Sequence, residues 1–558
     1  MDPVSIARLI LTCCEVGERV VKICKTLVDV DSQVQERSLT IQSYWHTSRL
    51  QLDFLKRIES VLDEDLCRLI DGLLLQLSQK LSVADTALDK FTRRNAPERS
   101  GLWGFGSKAK KASWVWKKDA LDQIISDLDT WHRRFDPLWF MVTKTTSPLV
   151  DTALAGAQSA HGDRSNARGA VSVAKNPLTV AAGMRRVLYP SANLLKPKFL
   201  AEVQMEVSKI SLSEATKGFM ESERRWYIID TVQVGPFARA RDVLKDVSML
   251  AVKLAQADPL AFGLLNCKGV IPVQSQPIES PASSLSSSSS RSRHDYSSFQ
   301  LVFRLPDNMS ALQSLRQLLL ASDELVSLSR KMRIARELAK AVHYVHTFAF
   351  VHKNVRPESI LCYEDGRASR SHAFLVGFDA FRAADGGTVM TGDMSWERNV
   401  YRHPFRQGFD PAERYRMQHD IYSLGVCLLE IGLWESFVEY SEEDEEFGRP
   451  RAQFGEPYYR FKNWLAEKGQ ATMKEARPAN TFQALAFSLK QYLVEQARTR
   501  LAPRMGDKYA HIVLSCLTCL DDEKEDFDRR EIEDVDDDTV AIHFAEKILN
   551  DLDQISMI

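Results

Sequence analysis

The reading of this chain turns on VHKNVRPESIL, Val351–Leu361. A helix-like run, MRIARELAKAVHYVHTF (Met332–Phe348), precedes it. AFLVGFDAF (Ala373–Phe381) follows, then YRHPFRQG (Tyr401–Gly408) and HDIYSLGVCLLEIG (His419–Gly432). Each string alone is weak. Four in this order make a chance helical domain a poor explanation.

The order and spacing resemble the C-terminal lobe of a protein kinase. There a catalytic loop H-R-D-L-x-x-x-N is followed by D-F-G and A-P-E. HDIYSLGVCLLEIG resembles that lobe's buried central helix. The resemblance implies a bilobal α+β domain over 185–558. It also implies structural roles for His352 and Pro404, and for Asp420, which would tie the catalytic loop to the helix Ile421–Ile431.

The same residues argue against phosphotransfer. A kinase's catalytic-loop Asp orients the substrate hydroxyl and accepts its proton. Asn354 stands there, and an amide hydrogen-bonds without being a useful base near neutral pH. Ser359 stands where the family has a magnesium-binding Asn. A neutral hydroxyl is a poorer ligand for a hard cation. Arg356 keeps the charge of the loop's lysine. D-F-G aligns with Gly377-Phe378-Asp379, which removes the carboxylate that holds magnesium on ATP. A second register keeps Asp379 but follows it with Ala380-Phe381. His403-Pro404-Phe405 replaces A-P-E.

The small lobe is equally altered. No G-x-G-x-x-G precedes RWYIIDTV, Arg225–Val232. If that run is the lysine-bearing strand, Val232 or Gln233 replaces the lysine. The next lysine, Lys245, falls in a helix expected over 237–257. No glutamate occurs from Arg224 to Ile278, so only Asp242 and Asp246 could replace the family's helix glutamate. No catalytic set is intact, no metal site is expected, and nucleotide binding without magnesium stays open.

Residues 1–150 read as helix. Ile6, Cys13, Val20 and Leu27 recur every seven residues, with Ile10, Gly17 and Cys24 in a second row on the same face. That is an amphipathic helix of roughly 25 residues. Further helices fit 33–60, 63–92 and 113–134, which suggests an all-α bundle. Between the last two, Trp103, Trp114 and Trp116 are interleaved with Lys108, Lys110 and Lys111. Indoles beside lysines suit an anionic lipid interface. Composition alone favours the simpler reading, an exposed loop whose Trp residues pack on the bundle. Residues 151–184 read as a linker, and the Ser-rich tract 279–293 as a disordered loop.

This bundle resembles the fungal HeLo or HeLo-like domain, of the prion-inhibition and propagation type. The kinase-like part is similar to pseudokinases of filamentous fungi. HeLo-type domains act in heterokaryon incompatibility and programmed cell death. Their N-terminal helix is thought to enter membranes once triggered. The domain order is similar to that of mixed-lineage-kinase-like necroptosis effectors. The resemblance makes Ile6, Leu9, Ile10 and the Trp/Lys segment candidate membrane contacts. It also implies protein partners or an upstream sensor, and homo-oligomers on activation.

Composition sets the outer bounds. The 558 residues carry 73 Lys plus Arg against 75 Asp plus Glu, so no global basic excess points to nucleic acid. Nine cysteines do not suggest a disulfide framework. The N-terminus lacks the basic region of a secretory signal, and no window of 18 uninterrupted apolar residues occurs. A cytoplasmic protein that reaches the plasma membrane on activation is expected. The competing readings are an active ATP-dependent protein kinase with unusual residues and a non-catalytic scaffold.

Overall fold

A computed structural model describes residues 4–26, 32–62, 64–94, 119–128, 131, 147–159, 177–189, 196–201, 205–235, 238–274, 296–306, 309–321, 326–365, 370–383, 393–409, 411–441, 450–468, 478–521, 540 and 543–555. The chain forms two compact units, Met1–Leu188 and Tyr189–Ile558.

The first unit is helical: α1 (Val4–Thr26), α2 (Ser32–Ile58), α3 (Glu64–Arg94), α4 (residues 119–128), α5 (Pro148–Ser159) and α6 (Pro177–Leu188). α1 packs on α2 and α3 through its heptad-like rows. Ile6, Ile10, Cys13, Val20 and Cys24 are all buried there. They meet Ile41, Trp45 and Leu55 of α2, and Ile70, Leu74, Leu77 and Leu81 of α3. Burial pushes the Cys13 thiol up to about 12, so it is a packing group rather than a nucleophile.

Residues 151–184, expected as a linker, include most of α5 and α6. Arg185 of α6 is buried and bidentate on Asp151 of α5, with Nε–Oδ1 2.6 Å and Nη2–Oδ2 2.8 Å. Both helices also pack on α2. Small residues concealed this, because the buried face of the two helices is built largely from alanines with Val150, Leu154 and Val187. The Ser-rich tract 279–293 and the Trp/Lys segment with Trp103, Lys108, Lys110, Lys111, Trp114 and Trp116 lie outside the described residues.

The second unit opens with an antiparallel sheet of order β1-β2-β3-β5-β4. Its strands are β1 (Glu206–Lys209), β2 (Thr216–Met220), β3 (Arg225–Gln233), β4 (Asn266–Gln274) and β5 (Tyr296–Arg304). Helix α7 (Ala240–Leu254) lies between β3 and β4 in sequence, with the short α8 (Pro259–Phe262) after it, and packs on β4 and β5. Lys253 of α7 donates to the Phe348 carbonyl at 2.6 Å, which fastens this layer to the helical part.

The rest of the unit is mainly helical. After β6 (Met309–Ser314) come α9 (Leu315–Leu320) and α10 (Leu328–Thr347). The short strand β7 (Phe350–Val351) leads to β8 (Ile360–Asp365), β9 (Arg370–Leu375) and β10 (Arg382–Ala383). β10 pairs with β7, and β8 lies between β6 and β9. Then follow α11 (Trp396–Asn399), α12 (Met417–Leu433), β11 (Val438–Tyr440), β12 (Ala452–Phe454), α13 (Glu456–Lys468), α14 (Pro478–Gln496), α15 (Ala502–Met505) and α16 (Asp507–Leu517). Every residue of α12 is buried, between α10 and α16. Gly425 and Gly432 permit this. A Cβ at Gly425 would lie 2.7 Å from Cys516 Cβ. Cys516 and Cys519 are buried packing groups in this layer.

Gly17 gives a test of the helical unit. Glycine inside a helix normally costs about 1 kcal/mol relative to alanine. Here a Cβ would penetrate the buried Trp45 ring. Gly17→Ala is therefore expected to destabilise, by about 1–3 kcal/mol, read from denaturant unfolding of the full chain. A gain in stability would show that α1 and α2 are not packed as described.

Candidate functional site

The catalytic-loop region is built on Asp420, in the first turn of α12. Its Oδ2 accepts the His352 amide at 2.7 Å, and its Oδ1 accepts the Lys353 amide at 2.9 Å. Tyr415 OH donates to Oδ1 at 2.7 Å, and His346 Nε2 lies 3.1 Å from Oδ2. Burial would raise this carboxyl, but His346, His352 and Tyr415 outweigh it and hold it below the usual range. The clamp lets Lys353 adopt a left-handed backbone (φ 67°) that a bulky residue otherwise avoids. His352 is fully buried with its ring 4.7 Å from that of Phe378, and burial lowers its pKa to about 4. Asp420 thus ties the His352–Lys353 backbone to the first turn of α12. Pro404 opens a buried turn, Pro404–Arg406, ahead of α12.

The residues expected at the degenerate site do converge. Asn354 Nδ2 donates to Asp379 Oδ1 at 2.7 Å and to the Gly377 carbonyl at 3.2 Å. Its Oδ1 accepts from Arg356 Nε at 2.7 Å. The amide oxygen is therefore taken up by Arg356, and the amide nitrogen is shared among several acceptors. Ser359 Oγ donates to the Asn354 carbonyl at 2.6 Å and accepts the Arg356 amide at 3.2 Å, so it is spent on holding the loop. Gly377 has φ 83°, and a Cβ there would lie 2.7 Å from Ser359 Cβ and 3.2 Å from Asn354 Nδ2. An aspartate at this position would be strained and crowded. Asp379 is the carboxylate that remains, and burial, then the charge of Glu214, push its pKa up. Among the described residues no group of three or more His, Cys, Asp or Glu could hold a metal ion.

Two carboxylates that were not singled out in the sequence complete the site. The cleft-facing residue of β3 is Asp230, not Val232 or Gln233. Val232 is buried as a core residue and Gln233 is exposed. Asp230 Oδ2 accepts the amides of Gly377 and Phe378 at 2.7 and 2.8 Å. The pattern Tyr-Ile-Ile-Asp could have given its register, since β alternation puts Ile228, Asp230 and Val232 on one face. Lys245 is exposed on α7. Asp246 is half-buried and takes up the Ala383 backbone rather than a lysine. The family's lysine–glutamate pair is not formed by these residues.

The second carboxylate is Glu214, in the turn between β1 and β2 where a kinase carries its Gly-rich loop. Glu214 Oε1 pairs with Arg356 and accepts from Arg398 Nη2 at 2.7 Å, and Oε2 lies 3.3 Å from Asn354 Nδ2. Ser213 Oγ of the same turn donates to the Glu358 carbonyl at 2.9 Å, and Ser314 Oγ donates to the Ser211 carbonyl at 2.9 Å. The turn is docked on the loop that would carry catalysis.

Of the membrane candidates in the helical unit, Ile6 and Ile10 are buried and Leu9 is half-buried against the same core. Among the described residues no helix is long and apolar enough to cross a membrane.

Asp230 predicts a pH effect. Burial, opposed by the two amides and aided by Asp379 and Glu214, raises its pKa to about 7. A raised carboxyl favours folding below its unfolded pKa and loses that contribution as pH rises through about 7. Asp230→Asn keeps an acceptor without the charge. The variant is expected to gain on the native chain between about pH 4 and 7, on the order of 4 kcal/mol in total. The readout is the difference between the two unfolding profiles, because buried His352 titrates in the same window with the opposite sign. A constant difference across that window would refute the assignment.

No family model matches the chain. A serine/threonine-protein kinase-like protein of Arabidopsis thaliana is 31% identical over 124 residues, covering 21% of this chain and 33% of that protein. The match spans about a third of the relative's length. Together with the strand order, the buried α12 and the Asp420 clamp, it supports a protein-kinase-like domain following a helical unit.

Proposed function

We propose that this chain is a signalling effector whose kinase-like domain is catalytically impaired and acts as a sensor or brake on the helical unit. The observation that carries the non-catalytic half is the presence of acidic groups where a kinase handles phosphates. Asp230 holds the backbone at Gly377 and Phe378, and Glu214 holds Arg356. ATP carries its charge on the phosphates, so two carboxylates and no paired lysine oppose its binding there. With Asn354 in place of a base and Gly377 in place of a metal ligand, Asp379 is the carboxylate left beside the loop, and it is engaged by Asn354.

The output half of the proposal is a cell-death type of effector. The helical unit engages protein partners or an anionic membrane once released, and oligomerises to do so. Its support is the resemblance of the amphipathic N-terminal helix, and the burial of Ile6 and Ile10 means that release must open the bundle. A plasma-membrane location on activation belongs to the same proposal.

Two measurements test the halves separately. Full chain with magnesium and ATP is expected to show no phosphotransfer, and Asn354→Asp alone is expected to remain inactive. Phosphotransfer by the native chain that disappears in Asn354→Ala would establish an active kinase. Anionic vesicles are expected to leak with residues 1–188 and much less with the full chain. If neither leaks nor binds vesicles, the membrane output is wrong and a scaffold role replaces it.

A further inference from the structure

The donors around Glu214 are more numerous than one carboxylate needs. Arg356 and Arg398 both reach the single oxygen Oε1. An arginine fork is best satisfied by two oxygens of its own. Asn354 Nδ2 stands 3.3 Å from the other oxygen. A tetrahedral phosphate offers three oxygens to the same three donors.

The donors are also held independently of the turn that now fills them. Arg356 is buried, with Nε on Asn354 Oδ1 at 2.7 Å and Nη1 3.6 Å from Glu358 Oε2. Arg398 lies 3.7 Å from Asp393 and 3.9 Å from Asp379. Glu214 comes from another element altogether, a six-residue turn between two strands, and its side chain is 32% exposed. The two guanidinium groups therefore keep partners if the turn lifts, a movement that also gives up the Ser213 and Ser211 hydrogen bonds. Asp379 faces the same place and opposes an anion. Burial pushes its carboxyl up, which lessens that opposition.

We infer that Arg356, Arg398 and Asn354 form an anion-binding site whose resident ligand is the chain's own Glu214, and that a phosphate group takes this site by displacing the β1–β2 turn. The inference rests on the non-catalytic reading above and adds a ligand that moves the turn. The site selects the phosphate itself. The lysine and metal ligands that would secure a polyphosphate chain are replaced by Asp230 and Gly377. Occupancy exchanges an internal ion pair for an external one, so the turn's position reports the ligand.

The test uses the full chain and inorganic phosphate as the probe. Glu214→Ala removes the internal competitor and is expected to bind phosphate at least about tenfold tighter than the native chain. Adding Arg398→Ala to that variant is expected to weaken binding at least about tenfold. In the native chain, saturating phosphate is expected to speed hydrogen exchange of the amides at 210–215, an observation that needs no variant to fold. Equal affinity in the native and Glu214→Ala chains, indifference to Arg398→Ala, or unchanged exchange at 210–215 would each overturn the site. Phosphotransfer by Glu214→Ala with magnesium and ATP would overturn the non-catalytic reading and leave the anion site standing.

Discussion

The kinase-like unit is organised around one buried guanidinium. Arg316 of α9 is wholly inaccessible, yet it touches three separate parts of the chain. It donates to Glu358 in the catalytic-loop turn at 3.1 Å, to Glu430 of α12 at 3.3 Å, and to the Val438 carbonyl of β11 at 3.3 Å. Ser436 and Tyr401 complete its shell. Burial alone would raise Glu358, but Arg316 and Arg356 prevail and hold it at about 2. Taking these charges out of water is costly, and only the full set of partners offsets it. Loss of any one would leave a buried charge unmatched, at about 3–5 kcal/mol. Arg316 therefore fixes α9, the catalytic loop and α12 in one arrangement.

That arrangement separates two kinds of residue that an active kinase uses together. The groups that shape the loop survive: Asp420 collects two amides and a tyrosine, and Arg356 and Ser359 brace the turn. The groups that would handle a nucleotide have been converted into internal contacts. Asn354 is satisfied by Asp379 and Arg356, Asp230 by two amides, and Glu214 by two arginines. The loop keeps its shape because Asn354, Asp230 and Glu214 are each held by hydrogen bonds or ion pairs within the chain.

Much of this was legible in the sequence where periodicity or motif order carried it. The heptad-like rows of α1 gave its buried face, and VHKNVRPESIL with HDIYSLGVCLLEIG gave the loop and helix that Asp420 joins. Less was legible where the signal was a pairing across a long interval. β1 and β2 were missed because an edge strand such as Glu206–Lys209 is mostly exposed and shows no apolar alternation. Arg316, Glu214 and Arg185 act through partners 114, 142 and 34 residues away, and no local pattern marks such pairs. Asp230 went unnoticed because the lysine position was sought at Val232 or Gln233, and the run of consecutive buried positions in this strand gives no alternation to fix its register.

Gly377 has a consequence for how the site can vary. Its backbone turn and the closeness of Ser359 and Asn354 leave no room for a side chain. A single mutation to aspartate would meet a wall rather than an empty coordination sphere. A carboxylate at 377 would require the backbone to change and both neighbours to give way together. Such a glycine locks this corner of the loop: side chains can vary around it more readily than at it.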